Sequence, residues 1–346
     1  MCTAICYGGL AGRTLDLEFS FGEEVIISPR GFAREYVCLG RLEQKNAILG
    51  TALWHSGVPM YYDGMSERGL YMAALNFPGY AVYRERIEGK KNLASGELIP
   101  YILGSSQTLD EAKMLLSEIN ITPDGISGLP STPMHWLLTD GKRAIVAEPR
   151  EEEMILTENP HGVLTNSPNI EYQMTKLADF AHISPTNPQN SLTNGTKIPT
   201  YSRGMGGLGL PGDFSSCSRF VKAAFLTSHT SEIGSIIPQN KEKSENVYEK
   251  IPQINQKPIQ NTTNKRISAF FHIAEQISVP YGTVLTDEGR AVYTVYTSCA
   301  DLERGVYYLT TYSCRTPHAV ALTPSRAAAT APIRFPHPTR ELIAEL

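Results

Sequence analysis

The sequence lacks the features that mark membrane, secreted and nucleic-acid-binding proteins. No apolar run in its 346 residues approaches 18, so no transmembrane helix is predicted. The formal net charge is −4 and no basic block occurs, which argues against nucleic acid or an anionic membrane surface as a partner. The first residues form neither a basic nor an apolar segment, so we expect no secretory signal and a cytoplasmic location.

The motifs of metal and redox sites are also missing. Six cysteines are present without any C-x-x-C spacing, and the eight histidines form no H-E-x-x-H motif. Neither a zinc site nor a redox dithiol is therefore indicated. Free thiols suit a cytosolic protein. Five of the cysteines are interpreted as small buried hydrophobic residues: Cys6, Cys38, Cys217, Cys299 and Cys314.

The chain does contain enough apolar residues for a large core. Hydrophobic residues make up 41% of the sequence and charged residues 19%, which excludes global disorder. We expect one domain over residues 1–346. Residues 231–265 are rich in Asn, Gln, Lys and Glu and predict a mobile surface insertion. The tail from Thr323 is rich in Ala and Pro and is expected to be extended.

Residue spacing predicts strands at both ends of the chain with helices between them. Apolar or alternating runs indicate strands at 3–7, 13–19, 25–27, 47–54, 70–76, 135–139, 144–147, 291–299 and 305–312. Helical spacing occurs at 220–226 and 267–277, and a capping box of Thr108 and Glu111 starts a helix that runs to Ile119. Asp140-Gly141 predicts a tight turn. Because no regular βαβ rhythm is present, we expect an α+β fold of layered antiparallel sheets flanked by helices.

Cys2 directly follows the initiator methionine. Methionine is normally trimmed when the next side chain is small, and trimming Met1 would leave a thiol and a free α-amine on the same residue. An α-amine has a pKa of about 7.7–8.0, so it can accept the proton of the thiol at neutral pH. A lone cysteine is a weak signal, and its catalytic role depends on the rest of the chain.

Ordered motifs occur along nearly the whole chain, apart from 231–265 and the tail. They are MCTAI at 1–5, GRTLD at 12–16, YDGMSERGL at 62–70, LNF at 75–77, HW at 135–136, GVLTNSP at 162–168, SRGMGGLGLPGD at 202–213, SRF at 218–220, YTSC at 296–299 and GVYY at 305–308. Together they resemble the choloylglycine hydrolase family, which comprises bile salt hydrolases and penicillin V acylases within the amino-terminal nucleophile hydrolases. The resemblance implies a four-layer αββα sandwich, a homo-oligomer (a tetramer), and a Cys2 nucleophile that needs neither metal nor organic cofactor.

The resemblance also implies roles for three charged residues. Asp16 would hydrogen-bond the α-amine or the thiol of Cys2, and its alternative is an exposed strand carboxylate. Arg13 would favour the thiolate by its positive charge, and its alternative is a surface ion pair. Arg219 would stabilise charge in the site, and its alternative is an ordinary surface arginine.

Two asparagines would form the oxyanion hole in this family. Asn166 would donate its amide N–H to the tetrahedral oxyanion, whereas its alternative is turn formation before Ser167-Pro168. Asn76 would supply a backbone N–H, and its alternative is a strand end. The glycine-rich loop at 203–212 lacks the phosphate-binding motif and would border the substrate mouth. His135 lies in a predicted strand and is expected to be structural.

The reaction that the resemblance implies is hydrolysis of an amide between an acyl group and an amine. Asn76 and the stretch that follows it favour conjugated bile acids as substrates, with release of glycine or taurine. A penicillin V acylase is the main alternative. A glutamine amidotransferase and a non-catalytic steroid binder are more distant ones. Two departures from the family pattern are Thr14, where Asn is usual, and the short segment 8–12.

Overall fold

We describe a computed structural model of the chain over residues 1–189, 192, 198–231, 262–341 and 343, with the side chains of 262 and 263 excepted. The predicted insertion at 231–265 lies outside these residues except at its two ends. Within the described residues, every helix is too short or too polar to cross a bilayer.

The described strands are β1 (Cys2–Tyr7), β2 (Leu10–Leu17), β3 (Glu24–Ser28), β4 (Ala33–Tyr36), β5 (Gly40–Glu43), β6 (Ile48–His55), β7 (Val58–Ser66), β8 (Tyr71–Asn76), β9 (Lys91–Ala94), β10 (Ile119–Thr122), β11 (Met134–Thr139), β12 (Ala144–Pro149), β13 (Met154–Glu158), β14 (Val163–Leu164), β15 (Val284–Leu285), β16 (Ala291–Asp301), β17 (Val306–Thr311), β18 (Cys314–Ala321) and β19 (Ile333–Pro336). The α-helices are α1 (Leu98–Ser105), α2 (Leu109–Ser117), α3 (Ile170–Lys176), α4 (Ser216–His229), α5 (Thr262–Glu275) and α6 (Pro324–Ala327).

Two large antiparallel sheets form the centre of the molecule. The first has the order β14-β1-β2-β16-β17-β18, with β15 paired to β16. The second has the order β13-β12-β11-β8-β7-β6-β3-β19. Apolar side chains of the two sheets pack in one core, to which the first sheet contributes Leu15 and Tyr296 and the second Leu49, Ala73 and Leu137. The sheets therefore lie face to face.

Helices cover the outer face of each sheet. α4 packs on β1 and α5 on β16, and the buried Phe220 and Phe270 of these helices join the core of the first sheet. α1 packs on β7 and β8, and its buried Leu98 and Ile102 belong to a second core under the second sheet. The layers are thus helix, sheet, sheet and helix, which confirms the predicted αββα sandwich.

The predicted turn is confirmed in atomic detail, and the predicted capping box of α2 is confirmed in its Thr108 half, since the Glu111 carboxylate accepts the N–H of Gln107 instead. The turn between β11 and β12 is closed by Asp140, whose carboxylate accepts the backbone N–H groups of Lys142 and Arg143 at 2.9 and 2.8 Å. Gly141 in this turn has φ of 82°, which glycine adopts without strain. At the start of α2 the hydroxyl of Thr108 accepts the N–H of Glu111 at 3.2 Å.

Two local predictions differ from the structure, and helix α1 was not predicted. α2 ends at Ser117, and Ile119 starts β10, because its side chain is buried beside β9 rather than on the helix face. The tail from Thr323 is not uniformly extended: it contains α6 before β19 adds a strand to the second sheet beside β3. α1 was not predicted, since seven of its eight residues are buried and no polar face interrupts the apolar run.

Gly12 lies on β2 against the backbone of β16. A Cβ atom at this position would lie 2.0 Å from the carbonyl oxygen of Ser298 and 2.7 Å from the ring of Phe270. Both neighbours belong to packed elements, so neither can move aside freely.

We therefore expect Gly12→Ala to destabilise the fold by about 1–3 kcal/mol through overpacking. The matched control is Gly207→Ala, where an added Cβ meets no atom within 4 Å. Thermal unfolding of both variants beside the parent protein measures the difference. Equal melting temperatures for the two variants would contradict the close approach at Gly12.

Candidate active site

Cys2 is the first residue of β1 and lies opposite Leu15 of β2. Its side chain is 3% exposed and lines a cavity between the sheets together with Arg13 and Leu15. Met1 continues the pairing: its amino group donates to the carbonyl oxygen of Asp16 at 2.7 Å, and the N–H of Asp16 donates to the Met1 carbonyl at 3.0 Å. The initiator methionine is thus held in register beside β2.

Asp16 is buried on the opposite face of β2. Side chains alternate along a strand, so those of Arg13 and Leu15 face the other sheet while that of Asp16 faces the helix layer. Its carboxylate accepts the hydroxyls of Thr294 at 2.6 Å and Thr14 at 3.2 Å. This arrangement disfavours the predicted contact with the Cys2 thiol and leaves the α-amine as the predicted partner of Asp16.

Arg13 carries a buried positive charge into the space between the sheets. Its guanidinium donates to the carbonyl oxygens of Tyr62 at 3.1 Å and of Ala74, both in the second sheet. Burial opposes this charge, but the nearby Cys2, Tyr296 and Asp63 raise the pKa of Arg13 above its ordinary value. Arg13 therefore stays cationic beside Cys2, and its Nη2 atom has no hydrogen-bond partner among the described residues.

Arg219 lies in the first turn of α4 and is 1% exposed. It donates to the carbonyl oxygen of Cys2 and to the hydroxyl of Thr3, each at 2.5 Å, and to Oδ1 of Asn166 at 2.8 Å. Burial lowers the pKa of its guanidinium, against the raising influence of Asp16 and Cys2. The alternative of an ordinary surface arginine is wrong, because the Arg219 side chain is buried and binds Cys2 and Asn166 from the helix layer.

Asn166 connects three of the predicted residues. Its Oδ1 accepts the backbone N–H of Cys2 at 2.8 Å as well as the Arg219 guanidinium. Its Nδ2 donates to the carbonyl oxygen of Asn76 at 2.8 Å. An amide nitrogen has two N–H groups, so one of them remains for a further acceptor.

Asn76 ends β8 opposite Met134 of β11. The next N–H, that of Phe77, donates to Pro133 across the same strand pair. Because bonded and non-bonded positions alternate in an antiparallel pair, the N–H and C=O of Asn76 point away from β11, toward Asn166. The side chain of Asn76 is exposed. Asn76 lines the same cavity as Cys2, and its carbonyl oxygen accepts the Asn166 side chain.

Sequence reasoning missed the residues that hold Asn166 in place. The N–H of Asn166 donates to the hydroxyl of Ser216 at 2.9 Å, and its carbonyl accepts the side chain of Gln173 at 2.6 Å. Gln173 also accepts the hydroxyl of Thr165 at 2.7 Å. His135 contacts this segment through a hydrogen bond of 2.8 Å between its Nε2 and the Thr165 carbonyl. No spacing in the sequence joins these residues, since they meet only in the folded chain.

The cavity that Cys2 lines has a volume of about 370 Å³, within the range of small-molecule sites. Its walls are mostly aliphatic and aromatic and include Leu15, Leu17, Phe21, Leu53, Met60, Tyr61, Tyr62, Ile126, Leu129, Pro130 and Met134. Residues of the glycine-rich loop at 203–212 do not line it. The loop predicted to border the mouth therefore contributes no wall to this cavity.

A second cavity, of about 450 Å³, lies at the other end of β1 around Cys6. Burial raises the pKa of the Cys6 thiol to about 12, so Cys6 is a poor nucleophile at neutral pH. All six cysteines are free thiols. Cys2 differs from Cys6 because it lies beside the buried Arg13 cation and lines an apolar cavity.

Comparison with known proteins agrees with this geometry. Residues 2–257 and 246–333 match the model of the linear amide C–N hydrolases, choloylglycine hydrolase family. A bile salt hydrolase/transferase of Lactiplantibacillus plantarum is 37% identical over 97% of both chains. A bile salt hydrolase/transferase of Clostridium perfringens is 32% identical over 88% of this chain and 85% of the relative.

Solved structures show the same fold. A crystal structure of the C2A mutant of conjugated bile acid hydrolase from Clostridium perfringens has a TM-score of 0.84 and 29% identity, and the match covers 100% of both chains. A penicillin V acylase from Agrobacterium tumefaciens has a TM-score of 0.69 at 19% identity, over 94% of this chain and 88% of that one. The second likeness concerns the fold alone. Cys2 and Arg13 line one cavity, and Asn166 accepts the backbone N–H of Cys2. With these matches, the chain belongs to the choloylglycine hydrolase family of linear amide C–N hydrolases.

Proposed function

We propose that this enzyme hydrolyses the amide bond of conjugated bile acids and releases glycine or taurine. The observation that carries the proposal is the Cys2 side chain at an apolar cavity large enough for a small molecule, beside the buried Arg13 cation. A steroid acyl group is largely apolar and suits such walls. The names of the relatives from Lactiplantibacillus plantarum and Clostridium perfringens support the same substrate class.

Removal of Met1 is part of the proposal. In the chain described here, the Cys2 nitrogen is an amide that donates to Asn166 Oδ1. Cleavage would convert it to an α-amine at the same place, held by Asn166 and close to the Asp16 end of β2. That amine is the base that takes the thiol proton. Met1 pairs with Asp16 at the strand end, and cleavage removes these two hydrogen bonds.

The reaction then proceeds through an acyl-enzyme. The Cys2 sulfur attacks the substrate carbonyl, while Arg13 favours the thiolate. The second N–H of Asn166 and the N–H of Asn76 stabilise the oxyanion. The α-amine passes the proton to the leaving nitrogen, and water releases the bile acid. Arg219 does not touch substrate in this mechanism; it holds the Cys2 carbonyl and Asn166 in position.

Location, assembly and domain organisation belong to the same proposal. Six free thiols suit a reducing, cytoplasmic compartment. A homotetramer is supported by the resemblance of the sequence to the family. We also propose that residues 1–346 form one domain with an insertion at 231–265, because a single pair of facing sheets includes strands from both ends of the chain.

Loss of Met1 should be visible in the intact mass of active enzyme. Cys2→Ala should abolish turnover of glycocholate because the nucleophile is gone, and Cys2→Ser should do the same because a hydroxyl needs a stronger base. Near-parental melting temperatures would show that both variants are folded. Full activity in a preparation whose mass still includes Met1 would contradict the mechanism in which the α-amine of Cys2 is the base.

Asn166→Ala should lower kcat for glycocholate by about 10²–10³-fold with a modest change in KM, since an oxyanion donor acts where charge develops. Ser216→Ala is a matched control, because it loosens the Asn166 backbone without removing the donor. We expect a smaller loss of kcat in that variant. An Asn166→Ala enzyme that is destabilised but retains parental kcat would remove Asn166 from the oxyanion hole.

Substrate class is tested by hydrolysis of glycocholate, taurocholate and penicillin V under identical conditions. We expect a higher kcat/KM for at least one bile acid conjugate than for penicillin V, since the cavity walls match a large apolar acyl group. Leu129→Asp would place a charge in those walls and should raise KM for the conjugates. A higher kcat/KM for penicillin V would reverse the assignment to the alternative activity.

A further inference from the structure

Asp63 is a buried carboxylate that the reaction described above does not use. It lies on β7 in the second sheet and is 0% exposed. Its Oδ1 accepts the hydroxyl of Tyr296 at 2.6 Å. Its Oδ2 accepts the hydroxyls of Tyr307 at 2.8 Å, Ser298 at 2.9 Å and Tyr71 at 3.1 Å. A carboxylate, which only accepts hydrogen bonds, matches four hydroxyl donors.

Three of those donors come from the facing sheet. Tyr296 and Ser298 lie on β16 and Tyr307 on β17, so Asp63 reaches from the second sheet into the first. Arg13 makes the reverse crossing, from β2 of the first sheet to the carbonyl oxygens of Tyr62 and Ala74 in the second. A buried anion and a buried cation therefore cross the same interface in opposite directions.

Two short chains of contacts connect Arg13 and Asp63. The backbone N–H of Arg13 donates to the Ser298 hydroxyl at 3.2 Å, and that hydroxyl donates to Asp63. The Tyr62 carbonyl that Arg13 binds belongs to the peptide group preceding Asp63. Burying a lone guanidinium is costly unless an opposite charge lies near it.

We propose that Asp63 is a positioning residue for the reaction: it is the buried counter-ion of Arg13 and limits how strongly Arg13 attracts the Cys2 thiolate. The proposal rests on the proposed role of Cys2 as the nucleophile. A thiolate that is held too tightly by a cation is a weaker nucleophile, because nucleophilicity falls as thiolate stability rises. The positive charge of Arg13 then interacts with two anions, the Asp63 carboxylate and the Cys2 thiolate.

The groups that face this pair come from every strand packed around it. Arg13 faces Cys2 on β1, Tyr62 and Asp63 on β7, Tyr71 on β8 and Tyr296 on β16, while Asp63 also faces Tyr307 on β17. Burial raises the pKa of the Asp63 carboxyl, and Arg13 with its hydroxyl donors opposes that rise. Arg13 is held by the carbonyls of Thr14, Tyr62 and Ala74, so it keeps its place when the charge of Asp63 is removed.

The test is Asp63→Asn, which keeps the shape and removes the charge. Protein lacking Met1 is treated with iodoacetamide across a pH series, and carboxamidomethylation of the Cys2 peptide is followed by mass spectrometry. We expect the pH at which the rate reaches half its maximum to fall by about one unit, because Arg13 then acts on Cys2 without a counter-ion. The acid limb of the pH profile of kcat/KM should move in the same direction.

The matched control is Asp301→Asn, the same change at a buried carboxylate near an arginine. Asp301 is the last residue of β16 and lies opposite Leu10 and 3.7 Å from Arg266. The Asp301→Asn substitution should leave the half-maximal pH unchanged. An unchanged half-maximal pH in Asp63→Asn, or an equal shift in both variants, would overturn the proposal. A purely structural Asp63 would lower the melting temperature without moving the pH profile.

A second variant covers the case in which Asp63→Asn does not fold. Tyr296→Phe removes the shortest of the four hydrogen bonds to Asp63. That bond lowers the pKa of the carboxyl, so its loss leaves a larger fraction of Asp63 neutral. The half-maximal pH should then fall by a smaller amount, and no fall contradicts the proposal. Alkylation does not require a substrate, so a shift without hydrolysis of glycocholate would reject the proposed function and keep the role of Asp63.

Discussion

The pairing of β1 with β2 places Cys2 opposite Leu15 and directs its thiol into the space between the two sheets. The remaining features of the site depend on this register. A shift by one residue would turn the thiol to the helix layer and bring Thr3 into the cavity. β2 is itself paired to β16, and Gly12 permits the close approach of the two strands, so the register is fixed from both sides.

Buried charge is the second constraint on the architecture. Arg13 and Arg219 are each 1% exposed, on opposite faces of the first sheet. Arg13 binds carbonyl oxygens of the facing sheet, whereas Arg219 binds the Cys2 carbonyl and Asn166. Each cation is therefore compensated by groups of a different layer. Polar contacts of this kind lock the layers at one relative position, which apolar packing alone specifies less tightly.

The sequence predicted elements best where local chemistry decides structure. The Asp140-Gly141 turn and the Thr108 cap formed as expected, because each depends on residues within four positions of one another. α1 was not predicted because it is buried on nearly all sides, so its sequence lacks the polar positions that reveal helical spacing. Ile119, the first residue of β10, fits the helical spacing of α2, and only the pairing of β10 with β9 makes it part of a strand.

The sequence by itself indicated the family, and through that resemblance it predicted the chemical groups proposed for the site. Cys2, Arg13, Asp16, Asn76, Asn166 and Arg219 could all be named from motifs. Tertiary structure decided what each group touches: Asp16 faces the helices, Arg219 binds the Cys2 carbonyl, and Ser216 with Gln173 holds Asn166. These contacts join residues 50 or more positions apart in most cases, for which local spacing carries no signal. The contacts of Asp63 could not be predicted from local spacing, because Tyr296, Ser298 and Tyr307 lie 233, 235 and 244 positions away.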